Sequence, residues 1–126
     1  MFEDVYNLTL SEIRHWAYSD QLFPEQDWDL FLIHTDNLML FLELASDDQC
    51  PTQDFFKYMI YLYVADDVKT EQSKPARNVK LQYYLDMDLP IKSRVVEHWK
   101  SDIAKLLRSH FYFFSYEKWI HKSKLC

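Results

Sequence analysis

Apolar side chains recur at helical spacing between Ile91 and Ser109. At 100° per residue, one side of this segment collects Ile91, Val95, Val96, Trp99, Ile103, Leu106 and Leu107. The opposite side collects Arg94, Glu97, Lys100, Lys105 and Arg108. The pattern predicts an amphipathic helix that packs through its apolar face and leaves its charged face in water.

A capping box at Thr9 and Glu12 marks the start of a first helix near residues 10–20. In this motif the Thr hydroxyl and the Glu carboxylate each accept a hydrogen bond from a free amide of the first turn. Helical spacing then predicts that the helix buries Leu10, Ile13, Trp16 and Ala17.

The next segment permits two structures. Pro24, with Glu25 and Asp27 behind it, predicts the start of a second helix. Residues 28–46 fit either a helix that is broken near Thr35 or two strands, 30–33 and 38–44, around a turn. Leucine and methionine favour the helix.

Residues 51–66 predict a central helix, because apolar side chains cover nearly every face and Lys57 is the only charge between Asp54 and Asp66. Residues 69–77 are polar and contain Pro75, so they are predicted as the longest loop.

The end of the chain adds two further elements. Asn78 caps a predicted helix through Leu85, and residues 87–90 stop it. The aromatic stretch 111–119 fits either a last helix or an edge strand.

Glycine is absent from the 126 residues, which bears on both fold and chemistry. Tight hairpins favour glycine at positions of positive φ, whereas helix connections can use Asn, Asp or Pro. We therefore expect a mainly α-helical single domain over residues 1–126, a bundle of about five or six helices with at most a short edge strand or hairpin. Dinucleotide-binding motifs, P-loops, glycine-bounded serine elbows and EF-hand loops are excluded, because each requires glycine.

The remaining residues carry no catalytic or metal-binding constellation. The five histidines show no i,i+4 pair and have no cysteine partner nearby, and Cys50 and Cys126 belong to no metal-binding spacing. We expect a binding protein rather than an enzyme, with no cofactor and no metal. The acidic N-terminal residues, the lack of a long apolar run and the two isolated cysteines lead us to expect a cytoplasmic protein that does not enter a membrane.

The charges are divided unevenly along the chain. Residues 1–67 contain fourteen acids and two bases, whereas residues 68–126 contain six acids and twelve bases, for a net charge of −6. An acidic face steers and orients a cationic partner. The pairs Asp47–Asp48 and Asp66–Asp67 fall at predicted helix ends, where carboxylates oppose the helix dipole, so they serve either as turn formers and caps or as binding residues.

Aromatic residues form 17% of the chain, more than a core of this size hides easily. Tyrosine and tryptophan are common interface anchors. The predicted partner-binding residues combine both features: Asp27, Trp28, Asp29, Asp36, Asp47, Asp48, Asp54, Tyr58, Tyr61, Asp66 and Asp67.

In composition and design the chain resembles the small acidic immunity proteins that bacteria keep beside contact-dependent growth-inhibition toxins or related nuclease toxins. The shared features are a short chain without catalytic motifs, an acidic and aromatic N-terminal half with Asp47, Asp48, Asp66 and Asp67, and an amphipathic helix around Trp99. The resemblance implies a tight heterodimer with a cognate toxin domain, which is a basic protein and a nuclease, whose active site or a more distant surface is covered.

The alternative hypothesis is a nucleic-acid-binding protein that uses the basic C-terminal half. Its candidate phosphate contacts are Lys69, Lys74, Arg77, Lys80, Lys92, Arg94, Lys100, Lys105 and Arg108. The net charge of −6 counts against it, because the acids of the other half repel nucleic acid. The sequence sets no oligomeric state.

Overall fold

The computed structural model describes residues 9–19, 29, 32–33, 37–70, 74–89, 91–108 and 114–126. Six α-helices and one 3₁₀ helix have both ends within those ranges, and no strand lies in them. They are α1 (Leu10–Ala17), α2 (Leu38–Ser46), α3 (Gln53–Thr70), α4 (Lys74–Asp86), α5 (Arg94–Leu107), α6 (Tyr116–His121) and the 3₁₀ helix (Lys122–Leu125). The predicted mainly α-helical fold of five or six helices is confirmed.

Helix α1 starts at the predicted capping box. The amide of Glu12 donates to Thr9 Oγ1 at 3.2 Å, and the amide of Thr9 donates to Glu12 Oε1 at 3.2 Å. Ile13, Trp16 and Ala17 are buried as predicted. The predicted burial of Leu10 is wrong: this residue is 54% exposed. It occupies the first helical position and lines a shallow groove beside α2 instead of entering the core.

Helix α2 shows which of the two predicted structures the second part of residues 28–46 adopts. Residues 38–46 are helical, so a strand over 38–44 is wrong. Thr35 and the predicted helix start at Pro24 lie outside the described residues. Six of the nine α2 residues are buried, because the sequence from Leu38 to Ala45 is apolar except at Glu43.

Helix α3 is the central element, as predicted. It contacts α2, α4, α5, α6 and the 3₁₀ helix, so nearly every face is covered by a neighbour. Its buried residues are Phe56, Met59, Ile60, Tyr61, Leu62, Val64, Ala65 and Val68. The helix runs to Thr70 and not only to the Asp66–Asp67 pair, so those acids lie inside its last two turns.

Helix α4 begins earlier than predicted. Residues 74–77 are its first turn and not part of a loop, and Asn78 lies within the helix and does not cap it. Proline is compatible with this position, because the first-turn amides of a helix have no intrahelical acceptor and Pro75 loses nothing there. The predicted stop at residues 87–90 is confirmed for 87–89, which are not helical.

Helices α5 and α6 pack on α3 through two tryptophans. Trp99 Nε1 donates to the carbonyl of Ile60 at 2.8 Å, and Trp119 Nε1 donates to the carbonyl of Tyr61 at 2.8 Å. Residues 116–119 are helical and residues 114–115 have no regular structure, so an edge strand is wrong for the described part of 111–119. The predicted helix 91–109 is α5, shortened to Arg94–Leu107 by its cap at Ser93.

Candidate protein-binding surface

The connection between α2 and α3 gathers carboxylates at one corner of the fold. Asp47 follows the last residue of α2, Asp48 lies in the turn, and Asp54 lies in the first turn of α3. We call these three residues and Tyr18 the acidic corner. Tyr18 follows α1 and is 43% exposed.

Asp47 shapes the turn as well as contributing charge. Its Oδ1 accepts the amide of Gln49 at 2.9 Å, and its carbonyl accepts the amide of Cys50 at 3.0 Å. This is the local side-chain to backbone bonding that makes aspartate a turn former. Of the two acids, Asp47 therefore acts as a turn former. Its other carboxylate oxygen, Oδ2, faces Tyr18.

The Tyr18 hydroxyl donates to Asp47 Oδ2. This bond and the Gln49 amide lower the pKa of Asp47, because both stabilise the ionised carboxylate. The same bond to Asp47, with a smaller effect of burial, raises the pKa of Tyr18 to about 12. At neutral pH the pair is thus a neutral phenol bonded to a carboxylate, and the negative charge stays at the corner.

Asp48 and Asp54 are exposed. Asp48 Oδ1 accepts Gln53 Nε2 at 3.0 Å, and the side chain of Asp54 is 98% exposed with Lys57 Nζ at 3.9 Å. Lys57 also donates to the carbonyl of Cys126 at 3.3 Å, which holds its ammonium toward the 3₁₀ helix. Among the described residues, neither Asp47 nor Asp48 forms an ion pair with a lysine or arginine.

The second acid pair lies at the other end of α3. Asp66 follows Asp54 by twelve positions along α3, which is about 18 Å at 1.5 Å per residue. Asp67 turns inward: it accepts the Tyr84 hydroxyl, pairs with Lys80 Nζ at 3.4 Å and keeps 15% of its side chain exposed. Burial outweighs these two bonds and raises the pKa of Asp67. The two acid pairs therefore lie at opposite ends of α3, and Asp67 is bonded within the fold to Tyr84 and Lys80.

The other predicted binding residues differ in their burial, and the structure describes only some of them. Tyr61 is completely buried and donates to Asp102 Oδ2 at 2.6 Å, so its predicted place on the surface is wrong. Tyr58 is half-buried and donates to Asp29 Oδ2 at 2.7 Å. Burial and then this bond raise the pKa of Tyr58. The remaining predicted residues, Asp27, Trp28 and Asp36, lie outside the described residues.

Asp102 is a buried carboxylate that the sequence interpretation missed. It is 4% exposed, and besides the Tyr61 hydroxyl it has His98 Nε2 at 3.3 Å and Lys122 Nζ at 4.0 Å. The signal was present in the sequence: Asp102 falls between Trp99 and Ile103 on the buried side of α5. A carboxylate on an apolar face requires partners, and tyrosine hydroxyls are the donors that this chain has in excess.

The described residues contain no metal site and no membrane-spanning helix. No group of three histidine, cysteine, aspartate or glutamate side chains is arranged to hold an ion in that part of the chain. None of the described helices combines the length and the apolar character needed to cross a bilayer. Comparison with protein-family models, with curated proteins and with solved structures returned no match.

Proposed function

We propose that this chain is a non-enzymatic binding protein whose acidic corner contacts a cationic protein. The observation that carries the proposal is the state of Asp47, Asp48 and Asp54. The three carboxylates lie on the connection between α2 and α3 and in the first turn of α3, and Asp47 accepts the hydroxyl of the exposed Tyr18. Asp47 and Asp48 have no ion pair with a lysine or arginine among the described residues.

The physical basis is electrostatic complementarity combined with an aromatic contact. Carboxylates that lack an internal cation keep their field in solution and can pair with lysine or arginine from a partner. Asp47 is ionised at neutral pH, and its lowered pKa keeps it ionised in more acidic solution as well. Tyr18 adds contact area at low entropic cost, and its hydroxyl is already directed by Asp47.

The partner that we propose is a nuclease toxin domain, neutralised in the cytoplasm by this chain as an immunity protein. This part of the proposal rests on the resemblance to small acidic immunity proteins. A nuclease binds phosphates with basic side chains, and carboxylates can occupy the same basic groups. A secreted-toxin gene is then expected beside the gene for this chain, and a purely metabolic neighbourhood would count against the toxin.

Three of the nine candidate bases of the C-terminal half are less available to nucleic acid than the composition indicates. Lys80 pairs with Asp67, Lys100 donates to the carbonyls of Leu85 and Met87 at 3.4 and 2.9 Å, and Lys69 lies 3.9 Å over the ring of Tyr116. These three bases already have partners within the fold. The nucleic-acid hypothesis is therefore an outcome of the test and not a second proposal.

The test compares two variants with the same change in charge. The corner variant carries Asp47→Asn, Asp48→Lys and Asp54→Lys, where asparagine preserves the turn-forming bond. The control variant carries Asp88→Asn, Glu97→Lys and Glu117→Lys, three exposed acids on other elements.

The binding partner in this test is the purified toxin domain encoded beside the gene, and Kd is measured by calorimetry. We expect the corner variant to bind at least about 100-fold more weakly, or about 2.8 kcal/mol, and the control variant to stay within about threefold of the wild type. If both variants bind the partner equally weakly, the loss follows from net charge alone and the acidic corner has no specific role in the interface. Retention of the wild type on heparin with a steep salt dependence would favour nucleic acid instead.

A further inference from the structure

Helices α1 and α2 lie side by side, parallel and in register. Arg14 Nη2 pairs with Glu43 Oε2 at 2.8 Å, and four residues further along both segments the Tyr18 hydroxyl donates to Asp47 Oδ2. Both contacts join residues that are 29 positions apart in the sequence. The two helices therefore run in the same direction, and both end at the acidic corner.

The same register extends to the beginning of the two helices. Leu10 and Met39, which are also 29 positions apart, line a groove of about 360 Å³ together with Ile91. Leu10 is 54% exposed and Met39 is 42% exposed. Side chains at intervals of four residues share one face of a helix, so the three pairs form one continuous strip. We call this strip the α1–α2 seam, and its residues are Leu10, Arg14, Tyr18, Met39, Glu43 and Asp47.

The chemistry of the α1–α2 seam changes along its length. The first pair is apolar. The second pair, Arg14 with Glu43, has no net charge, and its side chains are 48% and 46% exposed. The third pair, Tyr18 with Asp47, belongs to the acidic corner. Eight positions at 1.5 Å per residue separate the two ends of the seam by about 12 Å, so an exposed apolar groove lies within reach of the corner carboxylates.

The complement of the seam is a segment with a cation at one end and a large apolar side chain at the other. Its lysine or arginine meets Asp47 and Asp48, which form no ion pair with a lysine or arginine in the described ranges. Arg14 opposes that cation little, because Glu43 balances its charge. The groove between two packed helices accepts the ridge of a third helix, and helices bound in this way use anchor residues about two turns apart.

We propose that the α1–α2 seam binds an amphipathic helix of the cationic partner, with a lysine or arginine at the acidic corner and an apolar side chain between Leu10 and Met39. The inference rests on the proposed function, because it assigns the partner contact that adjoins the acidic corner. The two ends of the seam act on different rate constants. Exposed charges act mainly on association, whereas burial of apolar side chains in the complex slows dissociation.

Binding kinetics with the purified toxin domain test the apolar end of the seam. The seam variant carries Leu10→Ala and Met39→Ala, which place a strong helix former at both positions. We expect this variant to dissociate at least about tenfold faster than the wild type, with an association rate within about twofold. The matched control, Val79→Ala with Leu125→Ala, truncates two other exposed apolar residues and should dissociate like the wild type. If the seam variant dissociates as slowly as this control while the corner variant binds weakly, the seam is overturned and the proposed function stands.

Methionine methyl resonances test the same contact without a substitution. Carbon-13 labelling of the methionine ε-methyl groups reports on Met39 in the seam, on Met87 beside α4 and on the fully buried Met59. When the toxin domain is added, we expect the Met39 resonance to shift and those of Met87 and Met59 to stay in place. A complex in which Met39 does not shift would overturn the seam. A complex that the corner variant forms as tightly as the wild type would instead overturn the proposed function.

The Met39 resonance also distinguishes the partner helix from a second copy of this chain. Between about 20 μM and about 1 mM of the free chain, we expect the Met39 resonance to keep its position. A Met39 shift that grows with the concentration of the chain alone would assign the groove to a second copy and would overturn the proposed occupant.

Discussion

Tyrosine hydroxyls donate to several of the aspartates in this protein. Within the described residues there are four such pairs: Tyr18 with Asp47, Tyr58 with Asp29, Tyr61 with Asp102, and Tyr84 with Asp67. A neutral phenol satisfies one lone pair of a carboxylate without cancelling its charge. Acids held in this way can sit at the edge of a core and still contribute a negative field.

The buried hydrogen bond between Tyr61 and Asp102 should contribute measurably to the free energy of unfolding. Tyr61→Phe removes the hydroxyl that donates to Asp102 and leaves a carboxylate oxygen that is shielded from water, so we expect a loss of about 1–3 kcal/mol in urea unfolding. Tyr83→Phe removes an exposed hydroxyl and is the matched control, with an expected change within about 0.5 kcal/mol. Equal stability of the two variants would show that the Asp102 bond is replaceable.

The effect of the exposed Tyr18 on the pKa of Asp47 should be measurable by titration. In Tyr18→Phe the pKa of Asp47 is expected to rise toward its ordinary value, because the principal bond that lowers it is lost. The folded-state pKa lies below the unfolded one, so the pair stabilises the fold above the unfolded pKa, and this contribution is lost as the pH falls through the folded pKa. Carbon-13 carboxyl shifts between about pH 2 and pH 7 measure it. An unchanged Asp47 titration in Tyr18→Phe would contradict the assigned bond.

At the scale of the elements, short local motifs and long apolar patterns predicted most of the helices. The residues at which those helices begin and end were harder to predict. The capping box at Thr9 fixed the start of α1, and the apolar side of residues 91–107 identified α5. Pro75 was misinterpreted because a polar segment with proline fits a loop and a first helical turn equally well. The inward turn of Asp67 depends on Tyr84 and Lys80 from another helix, and no local pattern records that contact.

The packing of α5 on α3 gives a prediction at this scale. Trp99 is fully buried, lies 5.6 Å from the ring of Tyr84 and donates to Ile60, so Trp99→Ala should cost about 3–5 kcal/mol of unfolding free energy. Trp99→Phe keeps most of the buried area and should cost less. Chemical denaturation followed by circular dichroism measures both, and a Trp99→Ala variant as stable as the wild type would contradict the assigned core.

Across the whole molecule, the division of charge in the sequence survives only in part. Arg14 pairs with Glu43 at 2.8 Å within the acidic half, and Lys80 pairs with Asp67 across the two halves. At the acidic corner, Asp54 has Lys57 Nζ at 3.9 Å, whereas Asp47 and Asp48 form no ion pair with a lysine or arginine among the described residues. The composition predicted that an acidic surface exists, and its position could be found only from the packing of α2 against α3.

The salt dependence of the association rate tests the acidic corner most directly. If the proposed toxin domain is the partner, stopped-flow measurements with it should show wild-type association falling steeply as ionic strength rises, since exposed charges act mainly on encounter. At about 20 mM ionic strength, we expect the corner variant to associate at least about tenfold more slowly than the wild type and the control variant, and the three rates to converge near about 1 M salt. Identical rates and identical salt dependence for the wild type and the corner variant would contradict a binding role for Asp47, Asp48 and Asp54.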